Sequence, residues 1–134
     1  MLRPTIQPHY GPSNPPPGRD ADGALRVAQV VALRPEREDE YRRLHAEAFP
    51  QVLLTLSRAG IHNYNIFLGK VAGQKLLFSY FEFVGSDYAA ACAEIAACPH
   101  SQRWWQLTDP CQQQLPGTLP EQLWLPLERL FVYA

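Results

Sequence analysis

The segment Leu76-Leu77-Phe78-Ser79-Tyr80-Phe81-Glu82-Phe83-Val84 is largely apolar on both of its alternating faces. That pattern belongs to a β-strand covered from both sides. A fold that contains it must place layers above and below one sheet, and 134 residues give room for only one ordinary domain with a real core.

The rest of the chain supplies the other elements. Val27 to Leu33 reads as a first strand that Pro35 ends. Glu36, Glu38, Asp39 and Glu40 then place acids in the first turn of a helix, where they favour the positive end of its dipole. That helix is expected to run to about Ala59, bent at Pro50 by the missing backbone donor and stopped by Gly60. Ile61 to Leu68 reads as a second strand, Gly69 to Gly73 as a hairpin turn and Lys75 to Val84 as the third strand. Ser86 or Asp87 caps an Ala-rich helix, Tyr88 to Ala97, which Pro99 terminates. A short helix capped by Ser101 and a Pro-rich connection then lead to Leu127-Glu128-Arg129-Leu130-Phe131-Val132-Tyr133, read as a fourth strand. The order β-α-β-β-α-β is the α+β, ferredoxin-like plan. Its two helices cover only one sheet face, so the other is expected to meet a second copy, making a homodimer of packed sheets. Left open, that apolar face would invite aggregation.

Six of the thirteen prolines fall within residues 1–24, together with Gly11, Gly18 and Gly23. This stretch reads as a flexible Pro-rich arm ahead of a domain at residues 25–134. A net charge of −1, from 12 basic and 13 acidic residues, creates no field for nucleic acid or an anionic membrane. No apolar run is long enough to span a bilayer, and the N-terminus lacks the core of a signal peptide, so a cytoplasmic protein is expected. Cys92, Cys98 and Cys111 are odd in number and lack C-x-x-C spacing, so they read as reduced thiols, with Cys92 in a core helix.

Candidate chemistry gathers on the first helix. At 100° per residue, Tyr41, Leu44, His45, Ala48, Phe49, Val52 and Leu56 share an arc of roughly 140°. Tyr41 and His45, at i and i+4, are neighbours on that inward stripe. A satisfied core histidine would explain His45 alone, but two polar groups aimed at one place suggest a pocket. On the second strand, alternation puts His62, Tyr64, Ile66 and Leu68 on one face, with Tyr64 able to meet the helix stripe and His62 fixing a loop or facing solvent. His100 reads as a surface residue. Trp104 and Trp105 point about 100° apart on a helix, so both cannot fill one core site. One core and one interface tryptophan, or two walls of a binding site, both fit these residues. No third ligand accompanies His45 and His62 at metal spacing, and no phosphate loop, nucleophile elbow or Rossmann fingerprint is present, so neither a metal nor another cofactor is expected. A histidine, two tyrosines and paired indoles suit proton transfer on a neutral, hydroxylated ligand.

Three segments together resemble the L-rhamnose mutarotase family: Tyr41-Arg42-Arg43-Leu44-His45, His62-Asn63-Tyr64-Asn65-Ile66-Phe67-Leu68 and Gln102-Arg103-Trp104-Trp105. The closing Leu127-Glu128-Arg129-Leu130-Phe131-Val132-Tyr133 adds to the likeness, which spans about residues 26–134. The resemblance implies a dimeric α/β barrel of ferredoxin-like halves. It implies His45 as the acid/base residue, Tyr41 and Tyr64 as sugar contacts and Trp104 and Trp105 as pocket walls. The implied reaction interconverts the α and β anomers of a 6-deoxy-hexose by ring opening, without redox step or metal. Where the family's histidine is usually followed by Asn-Pro and then Trp-Pro, this chain reads His45-Ala46-Glu47-Ala48-Phe49-Pro50, a departure that bears on the substrate more than on the reaction. L-rhamnose is the family's defining substrate, and L-fucose is the alternative. Two other readings stand beside it: a cofactor-free or haem-handling monooxygenase, since the same dimeric fold hosts those, and a non-catalytic dimeric binding module, which would keep Trp104, Trp105 and Tyr64 but would not need His45.

Overall fold

Strand β1, Leu25–Leu33, carries Val27, Val30 and Val31, whose branched side chains favour a pleated surface. The computed structural model describes residues 22–133, so the Pro-rich arm falls almost wholly outside the described residues. After β1 come a 3-10 turn at Pro35–Arg37, helices α1, Glu38–Ala46, and α2, Pro50–Arg58, and strands β2, Ile61–Val71, and β3, Gln74–Phe83. Helices α3, Tyr88–Ala97, and α4, Pro99–Thr108, precede two short strands, β4, Gln112–Gln113, and β5, Leu125–Pro126. The antiparallel sheet runs β2-β3-β1, and β4 and β5 both pair with the remaining edge of β1. This is the ferredoxin-like order with two short segments sharing the fourth-strand position.

Several local features differ from the sequence reading. The long bent helix is two helices, because Phe49, preceding Pro50, adopts extended backbone (φ −63°, ψ 121°), as residues before proline do. Pro50 therefore starts α2 instead of bending one helix. The hairpin turn is shorter than expected: β2 continues to Val71, and Ala72 and Gly73 alone turn the chain, both at positive φ, the geometry of a type I′ turn. Asp87 is the cap of α3, accepting the Ala90 N–H at 3.0 Å. Ser101 caps nothing, since Cys98 holds the N-cap position of α4 and Pro99 begins it. Among the thiols, Cys92 is exposed and Cys111 is the buried one. The fourth strand is also misplaced: pairing to β1 falls at Leu125–Pro126, continues through the Leu127 N–H to the Ala28 carbonyl at 2.9 Å, and residues 128–133 form no strand. Leu130 and Phe131 are 69% and 58% exposed.

The largest local correction lies in β2. Ile61 and His62 pair with Phe83 and Glu82, but Asn65 pairs with Tyr80. Asn63 and Tyr64 thus oppose the single residue Phe81, which makes a β-bulge. Asn63 takes a positive φ of 49°, a conformation asparagine tolerates better than most residues. Its amide donates to Glu82 at 3.2 Å, and the Asn65 amide donates back to the Asn63 carbonyl at 2.9 Å. The extra residue inverts the alternation, so Ile61, Tyr64, Ile66 and Leu68 share the face towards the helices. His62 goes to the opposite face with Asn65 and Phe67.

Towards the helices the sheet presents Leu77, Ser79, Phe81 and Phe83 from β3, all buried. One core cluster joins Ala59, Ile61, Phe81, Phe83, Ala91 and Ile95, and another joins Val31, Leu33, Tyr41, Leu77 and Cys111. On the opposite sheet face Leu76, Phe78 and Tyr80 are half-buried and Phe67 is 61% exposed.

Candidate active site

Helix α1 is fixed at its start by Glu38, whose carboxylate accepts from Arg42 at 2.9 Å and from Lys75 of β3. So anchored, the helix buries Tyr41 against the sheet and brings His45 one turn further along its inner side. The two rings lie 4.2 Å apart between centroids. His45 Nδ1 lies 3.0 Å from the Tyr41 carbonyl oxygen. That oxygen can only accept, so Nδ1 carries the proton and Nε2 is the basic nitrogen of a neutral ring. Burial lowers the His45 pKa below its ordinary 6.5, although the Tyr41 carbonyl works in the other direction.

The remaining walls come from separate elements. Trp104 of α4 stands edge-on to His45 at 5.2 Å and to Phe49 at 5.1 Å. It is half-buried between them, whereas Trp105 is 37% exposed. From β2, the bulge delivers Tyr64 onto Phe81, with the rings stacked at 5.3 Å and 12°. Tyr64 is 42% exposed as a whole residue; desolvation of its phenol raises its pKa, with Ser79 acting the other way. Burial raises the Tyr41 pKa as well, against a hydrogen bond from Gln112. Both phenols are therefore protonated at neutral pH and able to donate.

All five residues singled out from sequence, Tyr41, His45, Tyr64, Trp104 and Trp105, line one cavity of about 840 Å³. Its far end is apolar, with Val52, Leu53, Leu56 and Leu68. A smaller cavity of about 160 Å³ is lined by the same five residues and adds Asp109, Gln112 and Trp124. Sequence reasoning missed these three. Gln112 and Trp124 lie in or beside the Pro-rich connection, whose composition shows no periodicity, and only their pairing and packing beside β1 bring them near Tyr41. His62 and His100 are exposed and line neither cavity. Among the described residues no group of three or more His, Cys, Asp and Glu side chains is placed to hold a metal ion.

The pattern of the L-rhamnose mutarotase family matches residues 26–133. The chain belongs to the L-rhamnose mutarotase family. It is 34% identical over 105 residues to the L-rhamnose mutarotase of Ligilactobacillus salivarius, covering 76% of this chain and 93% of that protein. It is also 34% identical over 99 residues to the enzyme of that name from Tolumonas auensis, covering 74% of this chain and 90% of that one. The solved L-rhamnose mutarotase of Formosa agariphila superposes with a TM-score of 0.60 over 81% of this chain and 98% of its own, at 23% identity, a likeness of fold. Phe49, where the sequence resemblance leads one to expect an indole, stands beside Trp104.

Proposed function

We propose that this chain is a mutarotase that interconverts the α and β anomers of a 6-deoxy-hexose, L-rhamnose first among them, with His45 as the acid/base residue. The observation that carries the reading is the orientation of His45: Nδ1–H is committed to the Tyr41 carbonyl, which leaves a basic Nε2 on a neutral ring in an aromatic-walled cavity. Ring opening needs a base for the anomeric O1–H and a donor for the ring oxygen O5. As Nε2 takes the O1 proton, the O–H electron pair forms the aldehyde and the C1–O5 pair withdraws to O5. A phenol, Tyr41 or Tyr64, donates to O5. Rotation about C1–C2 and closure on the other face return both protons, so the reaction balances without any redox partner. Trp104 and Trp105 supply flat apolar faces for the sugar's C–H groups and methyl. General acid–base assistance is typically worth about 10²–10⁴-fold, a suitable scale for a reaction that already proceeds in water.

The working unit in this reading is a homodimer in which the sheet faces carrying Phe67, Phe78 and Tyr80 pack together. Its support is the exposure of Phe67 on that sheet face and of Leu130 and Phe131 in the closing segment, apolar side chains of the kind that mark interaction surfaces when they cluster. A cytoplasmic setting fits the free thiols of Cys92, Cys98 and Cys111, because a reducing compartment keeps such groups unpaired. No helix among the described residues is long and apolar enough to cross a membrane. Anomer exchange measured side by side on L-rhamnose and L-fucose tests the substrate: faster exchange of L-rhamnose is expected, preference for L-fucose would reassign the sugar, and exchange of neither would overturn the reading.

A further inference from the structure

Strand β4 is only two residues long, yet it has a defined register. The Arg34 N–H donates to the Cys111 carbonyl at 2.9 Å, and Gln112 pairs with Leu33. Leu33 points to the helix side of the sheet as part of the cluster around Tyr41, so Gln112 points there too. It is 5% exposed, and its Nε2 donates to the Tyr41 hydroxyl oxygen at 3.1 Å. The amide oxygen Oε1 is buried with no hydrogen-bond partner among the described residues, an unusual condition for a native side chain. Gln112 also lines the smaller cavity, beside Asp109 and Trp124.

We propose that Gln112 is a positioning residue for the anomerisation, one that acts through Tyr41 and rests on the mutarotase reading above. A tyrosine hydroxyl has one proton and two lone pairs, and its proton rotates to suit the best acceptor. The N–H of Gln112 occupies one lone pair of the Tyr41 hydroxyl, so the Tyr41 proton turns away from Gln112 and is left to point into the larger cavity that Tyr41 lines as a donor to the substrate. Without that contact the hydroxyl would rotate freely and present a lone pair as often as a proton. Preorganised donors directed at developing charge act on the chemical step more than on binding.

Two substitutions and a double-variant cycle test this. Gln112→Met keeps the bulk and removes the N–H; Gln112→Glu, assayed at pH 8, offers an acceptor that captures the Tyr41 proton. Anomer exchange on L-rhamnose should lose kcat by on the order of 10- to 100-fold in Q112M and more in Q112E, with KM little changed. In a Tyr41→Phe background, neither Gln112 substitution should cost anything further. Circular-dichroism melts confirm that each variant is folded. Full additivity with Tyr41→Phe, a change confined to KM, or wild-type kcat in folded Q112M would overturn the role of Gln112 while leaving the mutarotase reading intact. Wild-type protein that does not accelerate exchange would overturn both.

Discussion

His45 combines a short tether with a low proton affinity. Its Nδ1–H bond to the Tyr41 carbonyl fixes the tautomer, and burial favours the neutral ring. The unfolded chain, with the ordinary value of 6.5, therefore takes up the proton first as pH falls. Stability from this residue is fully present above 6.5 and is lost as pH drops from there through the folded value. Urea melts at pH 7.5 and pH 5 should show a decline that His45→Gln flattens; an identical decline in both proteins would contradict the burial effect. The activity of the wild type should follow the same direction, level at neutral pH and falling towards acid as Nε2 is protonated. The Tyr41 and His45 pair was legible in the sequence because helical spacing alone puts i and i+4 on one stripe. The partnership of Tyr41 with Gln112 was not, since 71 residues separate them and only the pairing of β4 with β1 joins them.

At the scale of elements, glycine and asparagine set where the site residues point. Gly60 sits at φ +90° between α2 and β2, and a Cβ there would meet the Val84 carbonyl oxygen at 2.5 Å. Gly60→Ala should therefore destabilise the fold by roughly 1–3 kcal/mol, read as a lower midpoint in urea; an unchanged midpoint would show that the turn relaxes at little cost. The Gly60 stop and the Ala-rich α3 were legible from composition. Strand alternation gave Tyr64 the helix-facing side it has, but it gave His62 the wrong one, because the bulge at Asn63 adds one residue between them. A bulge held by Asn63, Asn65 and Glu82 depends on cross-strand contacts that period-two counting does not include. Deleting Asn63 should leave Tyr64 directly after His62 and opposite Phe81, on the helix face it already has, so a folded deletion protein should keep anomer exchange. Loss of exchange in a folded deletion protein would show that the bulge itself shapes the cavity beyond setting the face of Tyr64.

For the whole molecule, the sheet has one face covered by helices and another that keeps Phe67 in solvent, while Leu130 and Phe131 are exposed in the closing segment. The two-sided character of β3 was visible in its residues, whereas the place where the last segment pairs was not. Apolar residues at 127–133 fit a strand in any sheet that accepts them, and pairing partners are not written in local pattern. Sedimentation at micromolar concentration should give a dimer, and Phe67→Asp should shift it towards monomer by placing a buried charge in the interface. A wild-type monomer would contradict this arrangement.

The central claim is that His45, in a cavity walled by Tyr41, Tyr64, Trp104 and Trp105, drives anomer exchange on a 6-deoxy-hexose. Saturation-transfer NMR between the α and β anomeric protons of L-rhamnose tests it most directly, with wild-type protein and folded His45→Ala compared at one concentration. Wild type should speed the exchange and His45→Ala should lose on the order of 10²-fold or more; equal exchange with the two proteins, or none with either, would contradict the account.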